Sequence, residues 1–135
     1  MRPQGVLETA LYCPDLAAAE AFYSTVLGLE IGAVAGRHLF FRCGAGVLLL
    51  FNPESTAKEP IAVAGKPVPL HGAHGPGHMA FRTSLAEIPA WREHLQSHGV
   101  AIESEVAWPG GGYSLYFRDP ADNSVEIATP ELWGL

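Results

Sequence analysis

The chain has 135 residues, 48% of them apolar, and its formal net charge is −6 with 8 lysines and arginines in all. That length and apolar content predict one domain with a sizeable core and exclude a disordered chain. The acidic balance argues against a nucleic-acid partner, which needs basic patches, and the longest apolar run, Val47 to Phe51, falls far short of the roughly 20 residues of a membrane helix.

No apolar stretch of signal-peptide length follows Met1-Arg2-Pro3-Gln4-Gly5. Cys13 and Cys43 are too few for a disulfide scaffold, so reduced thiols in a cytoplasmic protein are expected.

In chain order, Val6 to Cys13 is β-rich and is closed by Pro14. Asp15 is the N-cap of a helix reaching Leu27. Leu16, Ala19, Phe22, Tyr23 and Val26 form its apolar face, and Gly28 suits the C′ position. Strands are predicted at about 30–35, 38–43 and 46–52, punctuated by glycines. Residues 53–76 are rich in Pro and Gly and have no period, which reads as a connector or lid. A strand at 77–83 follows. Ser84 and Glu87 have capping-box spacing, and Pro89 predicts a short turn at 84–88 before the regular helix of about 89–98. Three more strands are expected at about 101–108, 112–118 and 124–129, with 119–123 as the turn between the last two.

The order of the second half repeats that of the first. Glu8-Thr9-Ala10-Leu11 and its helix ending at Gly28 match His78-Met79-Ala80-Phe81 and its helix ending at Gly99. Glu8 and His78 then hold equivalent places, and Gly46-Val47-Leu48-Leu49 aligns with Ser124-Val125-Glu126-Ile127. A repeat of about 75 residues is too long for a solenoid and fits a duplicated half-domain. The organisation expected is a single domain over 1–135: a first module at 5–53, a connector or lid at 54–76, a second module at 77–129 and a tail at 130–135.

Alternation along strands sets Glu8 and Ala10 opposite Leu7, Thr9 and Leu11. It sets His78, Ala80 and Arg82 opposite Met79 and Phe81, and Glu126 opposite Val125 and Ile127. The apolar faces should pack on the helices. Glu8, His78 and Glu126, with small alanines beside them, are left on the other faces and converge if the two sheets curl together.

Leu11-Tyr12-Cys13-Pro14-Asp15-Leu16, Ala21-Phe22-Tyr23 and Val26-Leu27-Gly28-Leu29, then Gly77-His78-Met79-Ala80-Phe81 and Tyr116-Phe117-Arg118-Asp119-Pro120 with Asn123 and Glu126, together resemble the vicinal oxygen chelate superfamily. That family includes glyoxalase I, extradiol dioxygenases, fosfomycin-resistance thiol transferases and bleomycin-resistance proteins. The resemblance covers nearly the whole chain. It implies an α+β fold: two βαβββ modules in pseudo-two-fold repeat, forming a cupped mixed sheet around a central cavity that holds a divalent metal. It also implies a homodimer.

The family's metal positions map onto Glu8, Leu48, His78 and Glu126. Leu48 cannot ligate, so the resemblance implies three ligands, one imidazole and two carboxylates, with positions left open for substrate. Such a set suits one Mn²⁺, Fe²⁺, Zn²⁺ or Ni²⁺ per chain. Glu8 and Glu126 double as candidate catalytic groups. Tyr116 is a candidate donor to an oxyanion. Arg82, Trp108 and Leu48 are candidate substrate contacts, with Arg82 preferred over Arg37 and Arg42 as anion clamp because it shares the His78 face. His71, His74 and His78 form a rival H-x₂-H-x₃-H cluster in the connector, while His38, His94 and His98 read as surface or strand-edge residues.

Ring-cleaving dioxygenases carry a histidine where this chain has Ala107-Trp108-Pro109, and a turn glycine where it has Asp122. A metal-dependent enzyme on a small organic substrate is therefore expected, with lyase or isomerase chemistry ahead of dioxygenase. The alternative is a metal-free protein that sequesters a drug or metabolite.

Overall fold

The computed structural model describes the backbone of residues 1–135 and the side chains of all but 33–35. The chain divides into two compact units, Met1–Gly75 and Pro76–Leu135.

The first unit opens with strand β1 (Glu8–Tyr12) and helix α1 (Leu16–Thr25), then strands β2 (Glu30–Ala35), β3 (His38–Cys43) and β4 (Gly46–Phe51). They form a four-stranded sheet in the order β1-β4-β3-β2. The β1–β4 pair is parallel and the other two are antiparallel. The Asp15 side chain caps α1 by accepting from the Ala18 N–H, as its short side chain and the preceding proline predict. Ala19 and Tyr23 of α1 are buried, as are Leu11, Leu39, Phe41, Leu48 and Leu50 of the sheet. Val6 and Leu7 lie ahead of β1 and are exposed, so β1 starts two residues later than its apolar pattern predicts.

The segment read as a connector has structure of its own. Helix α2 (Pro53–Lys58) starts on Asn52, whose side chain accepts from the Glu54 N–H, and a two-stranded hairpin follows, β5 (Ile61–Val63) with β6 (Lys66–Val68). Strands of three residues are too short to display a period, which is why the pattern failed there.

The second unit runs β7 (His78–Arg82), a 3₁₀ turn (Leu85–Glu87), helix α3 (Ile88–Ser97), then β8 (Ser104–Ala107), β9 (Tyr113–Arg118) and β10 (Ser124–Ala128). Its sheet order, β7-β10-β9-β8, repeats that of the first unit, with β7 parallel to β10. Each unit thus contains one βαβββ module, and the fold is α+β. Ser84 and Glu87 make the capping box, and α3 begins next to Pro89 as predicted. Gly99, at φ +69°, ends α3: its N–H donates to the Gln96 carbonyl while the Val100 N–H reaches back to Leu95. That pairing needs the left-handed backbone glycine adopts cheaply. Ile88 and Leu95 of α3 and Phe81, Leu115, Phe117, Val125 and Ile127 of the sheet are buried. The expected tail forms a 3₁₀ turn over Pro130–Trp133. Leu132 lies so close to Gly112 that a Cβ added there would meet it at 2.5 Å.

Candidate active site

In the second unit, β7 and β10 run side by side with Ser124 level with His78 and Glu126 level with Ala80. His78 Nε2 lies 3.3 Å from Glu126 Oε2. Its Nδ1 lies 3.0 Å from the Ser124 carbonyl oxygen. A carbonyl only accepts, so Nδ1 donates its ring proton there, and Nε2 faces the Glu126 carboxylate. The His78 side chain is 54% exposed and that of Glu126 is 7% exposed. Tyr116 is level with Glu126 across the antiparallel pair, and its ring stacks on His78 at 6.4 Å between centroids. Burial, and then a hydrogen bond to Glu126, push the Tyr116 phenol above its ordinary pKa. At neutral pH Tyr116 is therefore a proton-bearing donor.

The turn at 119–123 holds this arrangement. The buried Asn123 side chain accepts from the Gly77 N–H at 2.7 Å and donates to Asp119 at 2.9 Å. The Ser124 N–H donates to the Gly77 carbonyl at 2.9 Å. These bonds lock the residue before His78 onto the residue whose carbonyl orients its ring. The sequence marks 119–123 only as a turn, although the buried Asp and Asn side chains carry this second role.

Trp108 and Arg82 lie on the same unit. Trp108 Nε1 donates to Ser114 Oγ at 2.8 Å, which pins the half-exposed indole. Arg82 is exposed and borders a cavity of about 160 Å³ with Ala80, Ala128, Trp133 and Leu135.

In the first unit, Glu8 is exposed and lines a cavity of about 460 Å³. The floor is Leu49 and Phe51; Ile61, Val68, Pro69 and Leu70 of the former connector form its roof, and Arg37, His38, Glu59 and His71 complete the wall. The His71 ring meets Phe51 edge-on at 4.6 Å, and its Nδ1 lies 2.9 Å from the Tyr12 hydroxyl. His38, read as a surface residue, packs on Phe51 at 5.6 Å.

The register corrects the placement of Leu48. Glu8 is level with Val47, and His78 is level with Ser124. If Glu8 and His78 are equivalent, the counterpart of Glu126 is Leu49, one residue beyond Leu48. Leu48 is 0% exposed among core residues and does not reach the cavity, whereas Leu49 lines it. A slip of one residue exchanges the faces of a strand.

The structure brings His78, Glu126 and Tyr116 together and places Glu8 on the other unit. Among the described residues, no group of three His, Cys, Asp or Glu is placed to hold a metal ion. The rival histidine cluster is dispersed among different partners: His71 bonds Tyr12, His74 lies 3.5 Å from Glu54, and His78 faces Glu126. The donor chemistry fits a divalent ion nonetheless. An imidazole whose far nitrogen is tied to a carbonyl, beside a carboxylate hydrogen-bonded by a phenol, is an arrangement metal-ligating histidines and carboxylates adopt.

A family model for the glyoxalase/bleomycin resistance protein/dioxygenase superfamily matches residues 5–127, and the chain belongs to that superfamily. It is similar to the crystal structure of a lactoylglutathione lyase from Agrobacterium tumefaciens, with 44% identity, 100% of both chains covered and a TM-score of 0.91. A glyoxalase/bleomycin resistance protein/dioxygenase from Nocardioides shares the fold at 23% identity and a TM-score of 0.74, over 96% of this chain and 84% of that one. A fosfomycin resistance protein from Listeria monocytogenes does so at 19% identity and a TM-score of 0.70, over 97% and 99%.

Proposed function

We propose that this chain is a divalent-metal-dependent enzyme that chelates adjacent oxygens of a small organic substrate and performs lyase chemistry, as a cytoplasmic homodimer. The observation that carries the reading is the His78–Glu126 pair, with Nδ1 of His78 committed to a carbonyl and Nε2 facing the carboxylate at 3.3 Å. Identity of 44% to a lactoylglutathione lyase supports the reaction class. The absence of any helix long and apolar enough to cross a membrane among the described residues is compatible with the location.

The ion, when bound, supplies a Lewis acid that polarises the substrate oxygens and stabilises an oxyanion or enolate. His78 offers Nε2 and Glu126 a carboxylate oxygen; Glu8 is assigned as third ligand on its equivalence to His78. One imidazole and two carboxylates favour Mn²⁺ or Fe²⁺ and admit Zn²⁺ or Ni²⁺. Tyr116, kept protonated, donates to Glu126 and fixes the carboxylate on which a substrate proton would be received. Arg82 and Trp108 are assigned to substrate contact.

The test is elemental analysis of protein purified without added metal or chelator, together with turnover of lactoylglutathione followed by its thioester absorbance. About one divalent ion per chain is expected. It should be lost in His78→Ala and in Glu126→Ala, and turnover should stop in chelator and return with one of the four ions. Stoichiometric metal in both variants would overturn the assignment. A second reading, a metal-free sequestering protein, is favoured by the absence of a three-donor group among the described residues of one chain. A protein that binds none of the four ions would establish it.

A further inference from the structure

The cavity over the first sheet carries different hydrogen-bonding side chains at its two ends. Glu8 stands level with Val47, at the start of β4, while Tyr12 and His38 stand level with Phe51, at its end. The two levels are four residues apart, about 13 Å at about 3.3 Å per residue. Arg37 and His38 adjoin in sequence, and His71 is bonded to Tyr12, so all three cationic or hydrogen-bonding side chains gather at the end away from Glu8. Between the ends the surfaces are apolar: Leu49 and Phe51 below, Ile61, Val68 and Leu70 above.

Two carboxylates border the cavity, Glu8 at one end and Glu59 near Arg37. Arg37 Nη1 donates at 3.0 Å to the backbone carbonyl of Glu59, an uncharged group that leaves the guanidinium's other donors for a ligand. His38 and His71 both pack on Phe51, at 5.6 and 4.6 Å, so aromatic rings surround the space beside Arg37. Edge and face contacts of this kind favour a flat, conjugated body over an aliphatic chain.

We propose that this cavity binds an aryl organic acid: its anionic group at Arg37, its ring between Phe51 and the roof of residues 61–70, and a polar or chelating head directed along β4 toward Glu8. The proposal extends the enzyme reading by naming the class of substrate, but the seat for the acid and the ring is built within the first unit and does not need the metal. Three features set this class. A volume of about 460 Å³ accommodates a compact organic molecule. Arg37 supplies a charge-assisted anchor of the kind that recognises carboxylate or sulfonate groups. The long apolar midsection would reject a hydrophilic ligand, because its polar groups would be desolvated without partners.

The experiment is a fluorescence titration with two probes: 1-anilinonaphthalene-8-sulfonate, and N-phenyl-1-naphthylamine, which has the same rings without the acid. The sulfonate should bind saturably, about one per chain. Arg37→Gln should weaken it about tenfold, the loss of one charge-assisted hydrogen bond, and change the neutral probe less than about twofold. Leu70 is 51% exposed, so Leu70→Glu folds, and its added charge in the roof should weaken the sulfonate at least as much.

Thermal melts that match the native protein keep these comparisons valid. Non-saturating binding, equal losses of both probes in Arg37→Gln, or no effect of Leu70→Glu would each overturn the proposal. Repeating the titration in chelator and in His78→Ala separates it from the enzyme reading. Binding that persists in both supports the cavity whether or not a metal is found, and binding abolished in both would overturn a metal-independent seat.

Discussion

His78 and Leu48 illustrate how one position along a strand decides what a side chain can do. His78 gains a fixed ring orientation from a carbonyl at 3.0 Å. Leu48 is 0% exposed, on the face that packs away from the cavity, while Leu49 beside it is half-buried and lines the cavity. Leu48→Ala should therefore cost about 2–5 kcal/mol through lost burial and a residual void. Leu49→Ala should cost no more than about 1.5 kcal/mol, since Leu49 is only partly buried and its loss enlarges an open cavity rather than leaving a core void. Urea denaturation of the two variants checks this, and equal costs would contradict the register. Leu49→Glu is the substitution that sets a carboxylate on the Glu8 face; Leu48→Glu buries one in the core. The sequence already paired Glu8 with His78, because the helix after each ends on a glycine at nearly the same distance, Gly28 and Gly99. It could not fix the second pair. Val47 to Phe51 is apolar at every position, so no alternation marks which residues face which way, and only the parallel pairing with β1 reveals it.

Elements with strong local signals are where the chain announced them, and elements held by distant partners are not. Asp15 and the Ser84–Glu87 box mark helix starts within one turn of chain. The hairpin Ile61–Val68 carries no such mark, and neither do the pairs that tie α3 to its sheet. There Arg92 of α3 donates twice to Glu105 of β8, at 2.9 and 2.7 Å, and the Tyr113 hydroxyl of β9 donates to the same carboxylate at 2.7 Å. Arg92, and then Tyr113, lower the Glu105 pKa from the usual 4.5 to about 2. A carboxylate depressed in the folded state adds stability above its unfolded pKa and loses it as pH falls through the folded one. The window is thus from about 4.5 down to about 2. The Glu105 side chain is 31% exposed and Arg92 is 34% exposed, so solvent screening limits the contribution to about 1 kcal/mol or less. Glu105→Gln should be less stable than the native chain by up to that amount at pH 7. The difference should vanish on acidification across that window. Chemical denaturation at a series of pH values reads it, and a difference that grew toward pH 2 would refute the pairing.

For the whole molecule, the proposed metal site requires a third donor. One chain contributes two converging donors, His78 and Glu126, and no group of three is placed to hold an ion among its described residues. Each sheet also has open edges, β1 and β2 in the first and β7 and β8 in the second. Val6, Leu7, Trp133 and Leu135 are all at least 74% exposed. Unpaired strand edges and exposed large apolar residues are what association covers. A two-fold dimer is the simplest closed assembly, and in it a residue of one copy meets the other copy's site twice over. We therefore expect a dimer of 14.4 kDa chains in which Glu8 of one copy serves His78 and Glu126 of the other. Light scattering gives the mass, and complementation tests the sharing. Glu8→Ala and His78→Ala homodimers should each bind little metal. When the two variants are unfolded together and co-refolded, a mixed dimer pairs the intact Glu8 of the His78→Ala chain with the intact His78 and Glu126 of the other. One of its two sites is then whole, the other lacks both ligands, and metal binding should return to about half a site per chain in the mixed dimers. If Glu8 served its own chain, every site in the mixture would lack one ligand, and co-refolding would restore nothing.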